Sequence, residues 1–360
     1  MLKHWWKILS VLIILYVLTV GLLVPLSPGI TSVSPQTLPG GNPARLLLVG
    51  YNSHFQRAQN NRVWLKLSES GDSTENGQTF LIQGTEIRVQ NDRSMTVGFD
   101  VPAHFPGDKT IRSASVIIDN EIDGTSVYPG AVFIKQAITN KSAAAFWTKV
   151  RMDDLHNRSF MTFPFRNILS ETIRNTYFHV PMMFAMVFLF LASVIYSTRY
   201  LRSQTRWNDH RAVAYARVGV VLGILGLLTG ALWAKWTWGA FWSWDIKQNM
   251  SAVALLIYLA YFVLRSSLDD LEQSARISAV FNIFAFAMLI PLIFVIPRLT
   301  DSLHPGNGGN PGMGGEDLDN TMRMIFYPAI IGWTLLGFWI ANLTYRASDL
   351  REKLYERLDL

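Results

Sequence analysis

The chain has 360 residues, half of them apolar and only 16% charged, with a formal net charge of +6 and no cysteine; its mean hydropathy is +0.21. That balance is too apolar for a purely soluble protein and describes a membrane protein with a soluble part. Lack of cysteine excludes disulfides, thiolate metal sites, CxxC redox chemistry and covalent cofactor attachment through CxxCH. The basic residues fall beside apolar segments rather than in a stripe, which argues against nucleic-acid binding.

Six apolar stretches of about 20 residues, the length that crosses the hydrocarbon core, lie at roughly 6–26, 178–198, 213–234, 249–265, 277–297 and 324–345. Each is nearly free of charge away from its ends, because a charge at mid-span costs about 2.5–3.5 kcal/mol to insert. Lys3 and Lys7 precede the first stretch, but the following Ser27-Pro28-Gly29-Ile30 lacks an A-x-A-like site, so an uncleaved first helix is expected.

The predicted fold is a membrane all-α, six-transmembrane helical bundle with a β-rich insert, a β-sandwich, between helices 1 and 2. Its parts are a first helix at 1–29, the insert at 30–168, a five-helix membrane portion at 169–346 and a tail at 347–360. Within the insert, Asn61 to Leu67, Thr85 to Val89 and Ser113 to Ile118 alternate or carry β-branched residues between Gly, Asn, Asp and Pro turns, the pattern of strands. The insert shows no cluster of histidine and carboxylate at metal-ligand spacing, no nucleophile constellation and no phosphate loop, and reads as a binding or spacer domain. Phe160 to Phe165 followed by Ser170 to Arg174 reads as an interfacial helix entering the second span.

Orientation follows from the short basic loops. Arg199, Arg202, Arg206 and Arg211, then Arg265 and Arg276, then Arg346, Arg351, Lys353 and Arg357 mark three connections as cytoplasmic. Both termini are then cytoplasmic. The insert, a tryptophan-rich loop at 235–248 and a loop at 298–323 lie outside. In the third span Gly219, Gly223, Gly226 and Gly230 share one helix face and read as a packing seam. Pro291, Pro297 and Pro328 are expected to kink or bound the last two spans. The glycine-rich 305–315 stretch lacks a Lys-Ser/Thr ending and reads as a flap or linker, not a phosphate loop.

The residues from Trp233 to Trp244 hold five of the twelve tryptophans: Trp233, Trp236, Trp238, Trp242 and Trp244. An aromatic belt at the membrane boundary explains one or two tryptophans per helix end and does not require Gly239 or Asp245. Gly239 permits close backbone approach, and Asp245 has a plain reading as the cap of the fourth helix. His179 opens the second span and His304 lies in the last outer loop, both on the tryptophan side. Singly, each reads as a polar helix-end residue. Together, two neutral imidazoles from distant segments can ligate one metal of a planar macrocycle while aromatic rings cover it.

Trp238-Gly239-Ala240-Phe241-Trp242-Ser243-Trp244-Asp245 resembles the tryptophan-rich (WWD) signature of the haem-handling proteins of cytochrome c biogenesis. Leu228 to Trp233 before it and Tyr177 to Pro181 opening the second span resemble the CcmC branch. The resemblance covers about 170–345, nearly the whole membrane portion. It implies that His179 and His304 are axial ligands of a haem b at the outer, periplasmic membrane surface. Trp233, Trp236, Trp238, Gly239, Trp242, Trp244 and Asp245 would form the platform that holds it for the haem chaperone CcmE. The ATP-binding-cassette subunits CcmA and CcmB and the small subunit CcmD are the further partners implied. The sequence departs from the family pattern at Phe241, where another Trp is common, at Ala234, where Gly often follows the first Trp, and in the insert, which the compact family form lacks.

On this reading the chain transfers and presents haem, and no acid–base pair or nucleophile marks it as an enzyme. A lyase activity would follow only for the related CcsA or CcmF type of haem export and cytochrome c synthase, which has more helices and a further histidine pair within the membrane. A haem b electron-transfer or quinone-linked subunit would place its histidines deep in facing helices, and a structural anchor would use the tryptophans only as a belt.

Overall fold

The computed structural model describes residues 4–67, 80–103, 110–135, 152, 154–157, 161–304 and 318–358. The chain forms two compact units, Pro25–Ser170 and the combination of Met1–Val24 with Glu171–Leu360.

Among the described residues, the second unit contains six helices long and apolar enough to cross a membrane, as expected. They are α1 Trp5–Leu23, α2 His179–Ser203, α3 Arg206–Trp238, α4 Ile246–Ser266, α5 Leu271–Ile290 and α6 Asn320–Leu358. Several boundaries differ from the hydropathy pattern, and those of α4 and α6 have a visible cause or consequence. α4 begins at Ile246 because the Asp245 side chain accepts the Lys247 N–H, a cap that hydropathy does not register. α6 continues through the basic tail, and its 39 residues rise about 58 Å at 1.5 Å each, roughly twice the hydrocarbon thickness.

Proline shapes the end of α5. The α-helix stops at Ile290, a π turn spans Pro291–Val295 and a 3-10 turn spans Ile296–Arg298. Pro291 has no N–H to continue the ladder, and a wider turn absorbs the mismatch. Pro328 lies inside α6 without ending it. Ahead of α2, Ser170–Tyr177 forms a 3-10 helix, where Arg174 donates to the carbonyls of Gly21 and Val24 at 2.8 Å each and closes the end of α1.

The glycine seam of α3 is a packing seam, as its spacing predicts, and α2 supplies the partner ridge. A Cβ added at Gly219 would lie 2.6 Å from Phe190, at Gly223 2.6 Å from Met186, at Gly226 2.5 Å from Met183 and at Gly230 2.6 Å from His179. Four rungs thus run antiparallel, from Phe190 in the buried bundle core to His179 at its end. Close approach of this kind substitutes for the hydrophobic drive that lipid removes.

The first unit is a two-sheet sandwich. Its strands are β1 Gly29–Ser34, β2 Thr37–Pro39, β3 Pro43–Tyr51, β4 Arg62–Leu67, β5 Leu81–Gln83, β6 Ile87–Asn91, β7 Ser94–Asp100, β8 Ile111–Asn120 and β9 Gly124–Lys135. One sheet has the order β1-β3-β7-β6 and the other β2-β9-β8-β4-β5. Every pair is antiparallel except β2 with β9. Alternate residues Leu46, Leu48, Met95, Val97 and Phe99 meet Val63, Leu65, Ala114, Val116, Ile118, Val132 and Ile134 in one core, so a one-residue slip would turn that set to solvent.

The β8–β9 hairpin carries buried polar groups that spacing does not reveal. Asp119 accepts the His156 N–H and Nδ1–H at 2.8 Å each and the Arg62 guanidinium. Asp123 likewise accepts the His54 N–H and Nδ1–H at 2.8 Å. The paired residues stand 37 and 69 positions apart. No group of three or more such side chains able to hold a metal occurs among the described residues. Burial raises the Asp119 carboxyl, but its bonds to His156, Arg62 and Thr125 outweigh burial and hold it at about 2.

Asp119→Ala is expected to destabilise this unit by about 3 kcal/mol, since Arg62 and His156 lose a buried partner. A carboxyl depressed on folding stabilises fully above its unfolded value of 3.8 and loses that contribution as pH falls towards about 2. The wild-type advantage in thermal melts of the full chain should therefore persist at pH 5 and shrink below pH 4. An advantage that grows on acidification below pH 4 would contradict it.

Candidate functional site

The C-terminal ends of α3 and α5 and the N-terminal ends of α2 and α4 converge at one end of the bundle. Between them His179, Met183, Leu227, Gly230, Ala231, Trp242, Lys247, Gln248, Ser251, Ile293 and His304 line a cavity of about 130 Å³. Both histidines singled out in the sequence face this one space, although they stand 125 positions apart.

Each imidazole is fixed by its Nδ1. His179 Nδ1–H donates to the Gly226 carbonyl at 2.8 Å, and the missing Cβ at Gly230 makes room for the ring. Trp233 meets it edge-on, centroids 6.1 Å apart, with a buried indole N–H that has no acceptor among the described residues. His304 Nδ1–H donates to Asp245 Oδ1 at 2.8 Å, and Trp238 packs against it edge-on at 4.7 Å. A carbonyl accepts only, and so does an ionised carboxylate, so each ring in its neutral form carries its proton on Nδ1 and keeps the Nε2 lone pair for a ligand. This is the arrangement that orients metal-ligating histidines.

Asp245 does more than cap α4. Oδ1 also accepts the Lys247 N–H at 2.9 Å, and Oδ2 accepts the Leu303 N–H at 2.7 Å. Burial raises the Asp245 carboxyl, but the bonds from His304, Leu303 and Ser302 outweigh it and hold the group well below the usual carboxylate range.

The tryptophan loop is folded back on the first turn of α4. Gln248 Oε1 accepts both the Ser243 N–H and its hydroxyl at 3.0 Å, and Asn249 accepts from the Trp242 indole at 3.1 Å while donating to the Trp244 carbonyl at 2.8 Å. The chain leaves α3 through Gly239 in a left-handed conformation, φ 85°. Nothing among the described residues lies within 4 Å of where its Cβ would be, and its left-handed backbone makes the turn that ends α3.

The sequence-predicted residues therefore separate. His179, His304 and Trp242 line the cavity, Trp233 and Trp238 pack on the imidazoles, and Asp245 stands behind His304. Trp236 and Trp244 do not join them, being 76% and 79% exposed. Lys247, Gln248, Met183 and Ile293 are lining residues that sequence reasoning passed over. A basic and an amide residue just after Asp245, one helical turn inside the cap, were the available signal. The 305–315 stretch lies outside the described residues.

A family model described as "Heme exporter protein C" matches residues 133–358. The chain is 28% identical over 183 residues to heme exporter protein C of Bradyrhizobium diazoefficiens, covering 51% of this chain and 69% of that one. It is 24% identical to the proteins of that name from Paracoccus denitrificans, over 51% of this chain and 76% of the other, and Escherichia coli, over 50% and 70%.

Asp245→Asn is expected to release the His304 segment, speeding backbone hydrogen exchange at 300–304 about tenfold, the equivalent of about 1.4 kcal/mol. Because the carboxyl is depressed on folding, the wild-type tether should hold at pH 5 and weaken only below about pH 4. Unchanged exchange in the variant would show that Asp245 does not carry the tether.

Proposed function

Because this chain belongs to the heme exporter protein C family, we propose that it is a haem-handling membrane protein of cytochrome c maturation in which His179 and His304 hold the iron of one haem b. What supports the reading is one observation: two imidazoles from distant segments line one cavity, each with Nδ1 bonded and Nε2 left to a ligand. Haem iron supplies two axial positions, and neutral imidazole nitrogen suits them.

The remaining residues fit a planar, dianionic cargo. Trp242 gives an aromatic wall, the Trp233 N–H a buried donor beside His179, and Lys247 a cation at the cavity for a propionate. A cavity of about 130 Å³ is smaller than the roughly 300–1,000 Å³ that encloses a drug-sized ligand. A porphyrin held here stands partly outside the protein, as cargo for transfer should. Exposed Trp236, Phe241 and Trp244 then form the surface on which a haem chaperone of the CcmE kind docks. CcmA, CcmB and CcmD complete the assembly that releases the loaded chaperone.

In the proposed orientation the arginine-rich ends of the helices face the cytoplasm of a bacterium. The haem site and the sandwich at 30–168 face the periplasm, with the chain in the inner membrane. This chain's residues bind, orient and shield; none is assigned a bond-making role.

The full chain purified with haem supplied is expected to show a Soret band, lost or shifted in His179→Ala and in His304→Ala. Gly230→Ala should weaken it by displacing the His179 ring, lowering haem affinity about tenfold or more for about 1–3 kcal/mol of lost ligation geometry. No band in the wild type, or a band indifferent to both histidine changes, would reject the reading.

A further inference from the structure

A second polar system occupies the opposite end of the bundle. There a cavity of about 910 Å³ opens among the ends of α2, α4 and α6 and the starts of α3 and α5, with Tyr200, Asp209, Arg265 and Ala275 among its walls. Arg265 and Asp209 form a two-bonded pair at 2.8 and 2.5 Å, and Arg206 reaches Glu352 at 2.6 Å.

Polar side chains continue inward from this cavity at one-turn spacing. Ser274, Ser278 and Asn282 follow one face of α5, and Ser197 and Ser193 follow α2; all five are buried. Ser274 donates to the Arg265 carbonyl at 2.8 Å. Asn282 Nδ2 donates to Ser193 at 2.7 Å and Ser197 at 2.8 Å, and Ser193 donates to the Ala212 carbonyl at 2.6 Å.

Three polar atoms of this seam are left over. Asn282 Oδ1, Ser278 Oγ and the Tyr258 hydroxyl have no hydrogen-bond partner among the described residues, and their residues are at most 1% exposed. A dry orphan of this kind costs about 1–3 kcal/mol, and three in one helix seam ask for an occupant. The side chains beside the serines on α5, Ala275 and Ala279, are small, and water is the occupant whose size and bonding suit such a seam. Beyond them the path closes: Phe190 stacks on Tyr258 with centroids 3.5 Å apart, and Met186, Leu189 and Leu255 pack in the same apolar cluster.

We propose that ordered water enters the seam between α2, α4 and α5 from the charged cavity and reaches Asn282 and Tyr258, forming a hydrated half-channel that the Phe190–Tyr258 stack closes. The bundle is then wet from its arginine-rich end to mid-depth and dry between there and the histidine cavity. These residues are separate from those of the haem reading, so either account can fail without the other.

The chain has no cysteine of its own, so single thiols report local water. In the full chain in lipid nanodiscs, Ser278→Cys and Ser197→Cys should react with methyl methanethiosulfonate about tenfold or more faster than Ala285→Cys, a buried α5 position on the apolar side, because only a hydrated thiol ionises readily. Ala275→Leu at the cavity wall should slow both reactions, which it would not do in a chain merely loosened by the new cysteine. A fast reaction at either serine position, slowed by Ala275→Leu, supports the half-channel. Rates at both that match Ala285→Cys, or fast rates indifferent to Ala275→Leu, overturn it.

Discussion

One carboxylate joins the parts of the histidine cavity. Asp245 accepts from Lys247, Leu303 and His304, and so ties the start of α4, the loop that leaves α3 and the segment that follows α5 to a single buried point. Each bond to a charged acceptor is worth about 1.5–3 kcal/mol, more than an ordinary cap supplies. The Trp238 ring also packs on the His304 ring. The other histidine needs no such device, since α2 lies along the glycine seam of α3 and the last rung, at Gly230, fixes the His179 ring.

Both imidazoles therefore reach the cavity with their proton on Nδ1, by different means. A helix carbonyl left accessible by close packing sets His179; a depressed, buried carboxylate sets His304. A carboxylate partner raises the electron density of its imidazole more than a carbonyl does. On the proposed reading the two ligands of one iron are thus unequal, the stronger donor on the segment after α5 and the weaker on the packed helix. The wide turn at Pro291 adds to this by carrying Ile293 to the cavity wall.

Hydropathy made the six helices legible, because depth in a bilayer is written in length and charge. Strand runs in the insert were legible for the same local reason, as alternation. What was hidden was azimuth and distance. Five clustered tryptophans read alike in sequence, yet Trp242 turns into the cavity while Trp236 and Trp244 turn out, a difference set by the Gly239 turn and by Gln248 and Asn249 clasping the loop. Asp245 read as a cap from its neighbours alone; its bond to His304, 59 residues away, leaves no local pattern. The spacing of Gly219, Gly223, Gly226 and Gly230 showed a seam but not that its end rung seats a functional ring.

The central claim, that one iron is held by both histidines, is tested most directly by electron spin-echo envelope modulation of the ferric haem-loaded full chain carrying 15N-labelled histidine. The account predicts a low-spin centre with modulation from two coordinated histidine nitrogens, reduced to one in His304→Ala. A spectrum with one or no labelled ligand in the unsubstituted chain would contradict it.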